Sequence, residues 1–279
     1  MPALTDLSRV RAILDRDRAW AAYALGDLSP HLVGQCSWYA PLGGSAALVL
    51  LYRGFSPPIV FAIGAAGEVA PLLRELDAPG ISLHVQPHVL TPLESVYRPT
   101  AIRRMWRMVV EPSSFRPVSS AGVVSLDASD LGAVNALYER GRLNGEGPTF
   151  FHASMLEQGM FRAIREGGDL IAVAGTHLHS AELGVCTIGN IYTRPDRRRR
   201  GLAARATSAV VSDAIAQRIG TIVLNVGQEN AGARRVYEQL GFRCYCEFVE
   251  GEAVALRTNR ARHRAVADQL PAPKPGHGS

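Results

Sequence analysis

Cysteines, lysines and long apolar runs are scarce in this chain of 279 residues. The four cysteines are too few for a disulfide framework, and none stands at zinc-type spacing from a histidine. The longest apolar run, Ala46 to Tyr52, is far shorter than the roughly 18 residues of a membrane-spanning helix, and the polar N-terminus is unlike a signal peptide. We therefore expect a soluble, cytoplasmic protein with reduced thiols, no metal and no membrane partner.

Positive charge is concentrated near the C-terminus. The formal net charge is +5, and residues 257–279 contain five basic residues and one acidic residue, so they carry four of the five charges. The remaining body is nearly neutral, which does not favour a nucleic-acid-binding fold. We expect residues 257–279 to form a basic, disordered tail, and we expect no nucleic acid as a partner.

The hydrophobic content of 47% supports a packed core, and the length favours two domains. Residues 8–28 have the periodicity of one helix, and short extended and helical runs of mixed α and β type follow it. Between residues 111 and 122, Pro, Ser and Gly dominate, which is typical of a linker. We predict a smaller α/β domain at residues 1–115 and an α+β domain at residues 122–256.

The second part contains an arginine-rich turn between a predicted strand, Leu183 to Thr193, and a predicted helix, Gly201 to Gln217. The start of a helix leaves backbone N–H groups unpaired and carries the positive end of the helix dipole, so it binds phosphate readily. Gly201 and the small Ala203 would let a phosphate approach the backbone closely. The pattern therefore predicts a pyrophosphate site at the start of this helix.

This stretch resembles a known family signature. Arg198-Arg199-Arg200-Gly201-Leu202-Ala203 is similar to the Arg/Gln-x-x-Gly-x-Gly/Ala signature of the GNAT superfamily of acyl-CoA N-acyltransferases. Asn230 and the run Val236 to Phe242 resemble the second acyl-CoA segment of that family. The resemblance covers residues 123–250 and implies a GNAT-like mixed sheet flanked by helices. The first domain is loosely compatible with a degenerate GNAT-like half.

The resemblance also implies roles for individual residues. In this family the pantetheine arm of the cofactor lies between two diverging parallel strands, here Leu183 to Thr193 and Thr221 to Val226. Tyr237 matches the phenol that in many members protonates the departing thiolate, and the N–H of Ile191 is our candidate for stabilising the oxyanion. The implied cofactor-binding residues are Ile191, Tyr192, Thr193, Arg198, Arg199, Arg200, Gly201, Leu202, Ala203, Ala204 and Asn230.

The general base is absent from its usual place on the strand before the signature. Counting back by twos from Ile191 gives Gly189 and Thr187, and neither side chain can serve as a base. His177 on the neighbouring strand has a suitable pKa range. Glu146, in the loop at residues 144–149, or a chain of water molecules could take the role of the base instead.

We therefore predict an N-acyltransferase that moves an acetyl group from acetyl-CoA directly to a primary amine of a small-molecule or amino-acid-like acceptor. The predicted catalytic residues are Tyr237 and His177. The alternative is a non-catalytic acyl-CoA-binding regulatory module, because the expected strand lacks an acidic base. We expect the first domain to shape the acceptor pocket, with Trp20, Trp38 or Trp106 as its walls. The sequence is compatible with a homodimer.

Overall fold

The structure is a computed structural model that describes residues 4–143, 145–148 and 151–256. The predicted basic tail at residues 257–279 and part of the predicted loop at residues 144–149 lie outside these ranges. The described residues form two compact units, and neither unit is continuous in sequence. The first comprises residues 4–10, 35–103 and 249–256, and the second comprises residues 11–34 and 104–248.

Most predicted elements are present within a few residues of their predicted bounds. The elements of the first half are α1 (Leu7–Leu14), α2 (Ala22–Gly26), β1 (Cys36–Tyr39), β2 (Leu48–Tyr52), β3 (Ile59–Ile63), α3 (Ala66–Leu73), β4 (Gly80–Val85), α4 (Pro87–Glu94) and β5 (Tyr97–Val110). Those of the second half are β6 (Val123–Ser125), α5 (Leu131–Leu143), α6 (Ala153–Gln158), β7 (Arg162–Glu166), β8 (Asp169–Ser180), β9 (Val185–Thr193), α7 (Leu202–Ala216), β10 (Thr221–Gly227), α8 (Ala231–Gln239) and β11 (Arg243–Ala255). The short helix α6 was not predicted.

The first unit is built on strands in the order β1-β2-β3-β4-β11. The pair β3 and β4 is parallel, with α3 as the connecting helix, and the other neighbours are antiparallel. Strand β2 is buried along its whole length, and its Val49 and Leu51 pack with α3 and α4 in one core. The predicted α/β character of this region is confirmed.

The second unit contains a mixed, open sheet in the order β5-β10-β9-β8-β7-β6. Strands β9 and β10 are parallel and are joined by α7, whereas the other neighbours are antiparallel. Side chains alternate between the two faces, so Ile222 and Leu224 pack with α7 while Val223 packs with Ala22 and Val109 on the opposite face. The predicted mixed sheet flanked by helices is confirmed.

Both units have the same order of elements. Three strands are followed by a helix, a parallel strand and a second helix, as β1-β2-β3-α3-β4-α4 and as β7-β8-β9-α7-β10-α8. Strand β5 then pairs with β10 of the second unit, and β11 pairs with β4 of the first. The predicted boundary at residues 111–122 lies inside the second unit. The strand that follows each series, β5 or β11, has its residues divided between the two units. That the first unit is a degenerate GNAT-like half stays a prediction.

The single helix predicted at residues 8–28 is wrong. Helix α1 ends at Leu14, a 3-10 turn follows at Asp15–Asp17, and α2 begins only at Ala22. The carboxylate of Asp17 accepts a hydrogen bond from the N–H of Trp20 at 3.1 Å, which starts a new turn. This break lets residues 11–34 cover the sheet of the second unit, and it buries Trp20 completely.

The predicted role of tryptophans as pocket walls is also corrected. Trp20 has no exposed surface, and its ring lies 5.6 Å from the ring of Phe248 in the second unit. Trp38 is 2% exposed in the first unit, and Trp106 is a half-buried neighbour of the core around α7. Trp20 and Trp38 are core residues, because almost none of their surface is exposed.

Replacement of Trp20 by alanine tests whether residues 11–34 are a structural part of the second unit. Because a fully buried tryptophan is lost, we expect the free energy of unfolding to fall by about 3–5 kcal/mol. Urea denaturation followed by circular dichroism measures this loss. Leu42→Ala is the control, since Leu42 is 89% exposed and should change stability by less than about 0.5 kcal/mol. Equal stability of the two variants would contradict the assignment.

Candidate functional site

The parallel strands β9 and β10 separate within the second unit. Their register runs from Thr221 opposite Val185 to Leu224 opposite Ile188, and it ends there. Both strands continue, β9 to Thr193 and β10 to Gly227. The backbone of β9 beyond Ile188 therefore faces a gap, which we call the wedge.

A β-bulge in β9 lies beside this wedge. Tyr192 is opposite Val173 and Gly189 is opposite Gly175, so two residues of β9, Asn190 and Ile191, occupy the space of one on β8. Asn190 has a φ of 53°, in the left-handed region that asparagine tolerates better than most residues.

A buried tyrosine on α5 holds the bulge in place. The hydroxyl of Tyr138 donates a 2.6 Å hydrogen bond to the carbonyl oxygen of Asn190. Tyr138 has no exposed surface, and this burial raises the pKa of its phenol, so it stays a proton donor. Sequence analysis missed both residues; an asparagine inside an otherwise strand-like run was the available signal.

The arginine-rich turn connects the end of β9 to the start of α7. Arg199 and Gly201 both have left-handed backbone conformations, with φ of 60° and 72°. No side chain caps α7, and a Cβ placed on Gly201 would meet no atom within 4 Å. The first amide groups of α7 therefore have no side-chain cap, as an anion site at a helix N-terminus requires.

The arginines of the turn are engaged with carboxylates. Arg198 makes a bidentate ion pair with Glu146, at 3.1 and 2.5 Å, and its guanidinium carbon lies 5.9 Å from the centre of the Tyr192 ring. Arg197 and Arg200 both pair with Glu166. A bound phosphate would compete with these carboxylates for the guanidinium groups.

Glu146 is a poor proton acceptor in this arrangement. The hydrogen bonds and positive charge of Arg198 lower the pKa of the Glu146 carboxyl below its usual range. A carboxylate held as an anion by an arginine has less tendency to take a proton from an ammonium group. Of the two side chains predicted as candidate bases, Glu146 is disfavoured by its surroundings.

His177 lies at the mouth of the wedge. A Cβ on Gly189 would stand 2.3 Å from both Cε1 and Nε2 of the imidazole, so the ring packs directly on the backbone of β9. Gly189 is the first residue of β9 after Ile188, the last one that pairs with β10. The missing side chain at Gly189 therefore makes room for His177 where the strands separate.

Two residues that sequence analysis missed complete this polar cluster. The hydroxyl of Tyr23 forms a 2.8 Å hydrogen bond with Nδ1 of His177, and Nδ2 of Asn225 donates to the same hydroxyl at 3.5 Å. Asn225 is the first residue of β10 after Leu224, the last one that pairs with β9. The only available signal was the polar Asn225 inside a β-branched strand.

Tyr237 and Asn230 are both on the helix α8. Asn230 caps α8, since its side-chain oxygen accepts a hydrogen bond from the N–H of Ala233 at 3.1 Å. Tyr237 is 6% exposed and packs in the core around α7, and burial raises the pKa of its phenol. His177, through its contact with Tyr23, lies over the opposite face of the sheet from this core.

Two surface depressions of about 290 and 340 Å³ lie elsewhere in the second unit, and both are lined by Arg162 and Asp213. Neither includes a predicted site residue. Among the described residues, no group of three histidine, cysteine or acidic side chains is placed to hold a metal ion. No helix in the described ranges has the length and apolar character needed to cross a membrane.

Removing the Arg198 guanidinium tests the electrostatic account of Glu146. In Arg198→Met we expect the pKa of Glu146 to rise toward its ordinary value, because both the hydrogen bonds and the positive charge are lost. Carbon-detected NMR titration of the Glu146 carboxyl measures the change. Arg200→Met, which removes a partner of Glu166 instead, should leave Glu146 unaffected. Identical titration of Glu146 in all three proteins would refute the account.

Comparison with known proteins agrees with the fold of this unit. Residues 134–242 match the family model described as Acetyltransferase (GNAT) family. No curated protein matches the sequence significantly.

Several solved structures have a similar fold over most of the chain. A GNAT-family protein of Novosphingobium aromaticivorans is 22% identical, with a TM-score of 0.58 over 84% of this chain and 97% of its own. A GCN5-related N-acetyltransferase of Kribbella flavida is 20% identical, with a TM-score of 0.59 over 85% and 94%. A Drosophila protein is 16% identical, with a TM-score of 0.61 over 88% and 89%. The similarity in fold thus extends well beyond the matched residues 134–242.

Proposed function

We propose that this protein is an N-acetyltransferase that uses acetyl-CoA, because residues 134–242 match the model of the GNAT acetyltransferase family. The proposed acceptor is a primary amine of a small molecule or an amino-acid-like compound. The observation that carries the proposal is the wedge between β9 and β10, which lies next to the uncapped start of α7.

The wedge and the uncapped start of α7 fit two parts of an acyl-CoA molecule, the pantetheine arm and the pyrophosphate. The amides of the pantetheine arm would pair with the backbone of Ile191, Tyr192 and Thr193, which β10 leaves uncovered. The pyrophosphate would bind the backbone amides from Arg199 to Ala204 at the start of α7, where the helix dipole favours negative charge. Acetyl-CoA would supply the activated acyl group as a thioester.

The side chains around the wedge supply the proton transfers of aminolysis. An ammonium group cannot attack a thioester, so Nε2 of His177 takes its proton first. The new C–N bond then forms as the C–S bond breaks, with the N–H of Ile191 donating to the developing oxyanion. Tyr237 donates its phenolic proton to the departing sulfur, and the second proton that the acylated nitrogen must lose returns to the phenolate oxygen of Tyr237. No covalent intermediate with the protein is required.

A non-catalytic acyl-CoA-binding module is the second candidate. It is favoured by the absence of a carboxylate on β9 and by the pairing of Glu146 with Arg198. Such a module would use the same backbone groups for binding. It would differ only in lacking a group that can take a proton from an acceptor.

A free-thiol assay with acetyl-CoA and a broad panel of amines distinguishes the two candidates. We expect release of CoA that depends on the acceptor, because direct transfer frees one thiol for each amide formed. Calorimetric titration of CoA into the same protein checks binding independently. Binding of CoA without thiol release for any amine would favour the non-catalytic module.

Tyr237→Phe tests the proposed proton donor. Because general acid catalysis contributes at least about 100-fold in many enzymes, we expect kcat for thiol release to fall by about that factor. The KM for acetyl-CoA should change little, since the aromatic ring and its packing are kept. A kcat equal to that of the unmodified protein would place the proton donor elsewhere.

A further inference from the structure

Tyr23 reaches the candidate site from outside the family match at residues 134–242. It lies on α2, in the stretch 11–34 that belongs to the second unit. Its ring packs beside Val109 and Val223, on the sheet face opposite α7. The residue is 154 positions away from His177 in sequence, yet their side chains are in hydrogen-bond contact.

The ring of Tyr23 is held by a buried cation. Arg107 on β5 is 1% exposed, and its guanidinium carbon lies 4.8 Å from the centre of the Tyr23 ring and 5.3 Å from that of Trp20. Cation–π contacts of this kind are strongest where the cation is removed from water. Arg107 and the apolar neighbours of Tyr23 therefore hold the ring whose hydroxyl reaches His177.

That hydroxyl contacts only one of the two ring nitrogens of His177. It forms a 2.8 Å hydrogen bond with Nδ1, while Nε2 lies over Gly189 at the mouth of the wedge. The tautomer of a neutral histidine is set by the hydrogen bond that its other nitrogen makes. If Nε2 is to accept a proton, Nδ1 must carry one and needs an acceptor for it.

We propose that Tyr23 is a positioning residue that accepts the Nδ1–H hydrogen bond of His177 and so favours the tautomer in which Nε2, beside Gly189, carries no proton. This inference rests on the proposed role of His177 as the base. When Nε2 takes the proton of the ammonium group, the imidazolium keeps both N–H groups. The Nδ1–H continues to donate to the oxygen of Tyr23, and no proton passes to the tyrosine.

The experiment combines a spectroscopic readout with kinetics in Tyr23→Phe. Nitrogen-15 NMR of the His177 ring, assigned with His177→Asn, reports which nitrogen carries the proton without any substrate present. We expect the Nδ1–H tautomer in the unmodified protein and a shift to the Nε2–H tautomer, which free imidazole side chains favour, in the variant. The expected loss in kcat is about tenfold, with an unchanged KM for acetyl-CoA.

Tyr245→Phe is the matched control. The hydroxyl of Tyr245 donates to Asp17 at 2.6 Å, so this variant also removes one hydrogen bond to residues 11–34, but it removes none to the site. We expect the control to keep the His177 tautomer and kcat of the unmodified protein. Phenylalanine keeps an aromatic ring over Arg107, and thermal unfolding checks that both variants remain folded.

Three outcomes would overturn the inference. The first is an Nε2–H tautomer in the unmodified protein, and the second is a tautomer that does not respond to Tyr23→Phe. The third is a changed tautomer with an unchanged kcat. Failure of the proposed function is recognised separately in the unmodified protein. If that protein binds CoA but releases no thiol with any amine, the proposed transferase activity is absent before any variant is compared.

Discussion

The early end of the β9–β10 pairing is the constraint on which the site depends. Unpaired backbone groups are costly in a protein interior, so two parallel strands separate only where something else maintains the gap. Here the bulge at Asn190, fixed by the buried hydroxyl of Tyr138, turns β9 away. Because α7 begins just after β9, the same gap lies next to an uncapped helix terminus, and the proposed thioester and phosphate sites become neighbours.

The two sides of the wedge differ in chemistry because side chains alternate along a strand. Tyr237 belongs to the apolar core around α7, and burial raises the pKa of its phenol, which keeps the phenol protonated. His177 lies on the other face among Tyr23, Asn225 and the cation of Arg107. In the proposed mechanism the proton donor therefore lies in an apolar setting and the proton acceptor in a polar one, which is the division that aminolysis needs.

Much of the fold could be predicted from local patterns, and the exceptions have identifiable causes. Residues 8–28 have helical periodicity, but Asp17 bonds to the N–H of Trp20 and breaks the helix, which a hydrophobic pattern does not reveal. The linker-like composition at residues 111–122 was a reasonable boundary signal. It failed because long-range strand pairing, and not chain continuity, defines the two units.

The sequence by itself determined the mixed sheet, the glycine at the start of α7 and the cap at Asn230, because each depends on the conformational preferences of neighbouring residues. Only the tertiary structure decided that Glu146 is held as an anion by Arg198, that Gly189 makes room for His177, and that Tyr23 reaches His177. These contacts join residues far apart in the chain, and their energies depend on distances that no local pattern encodes.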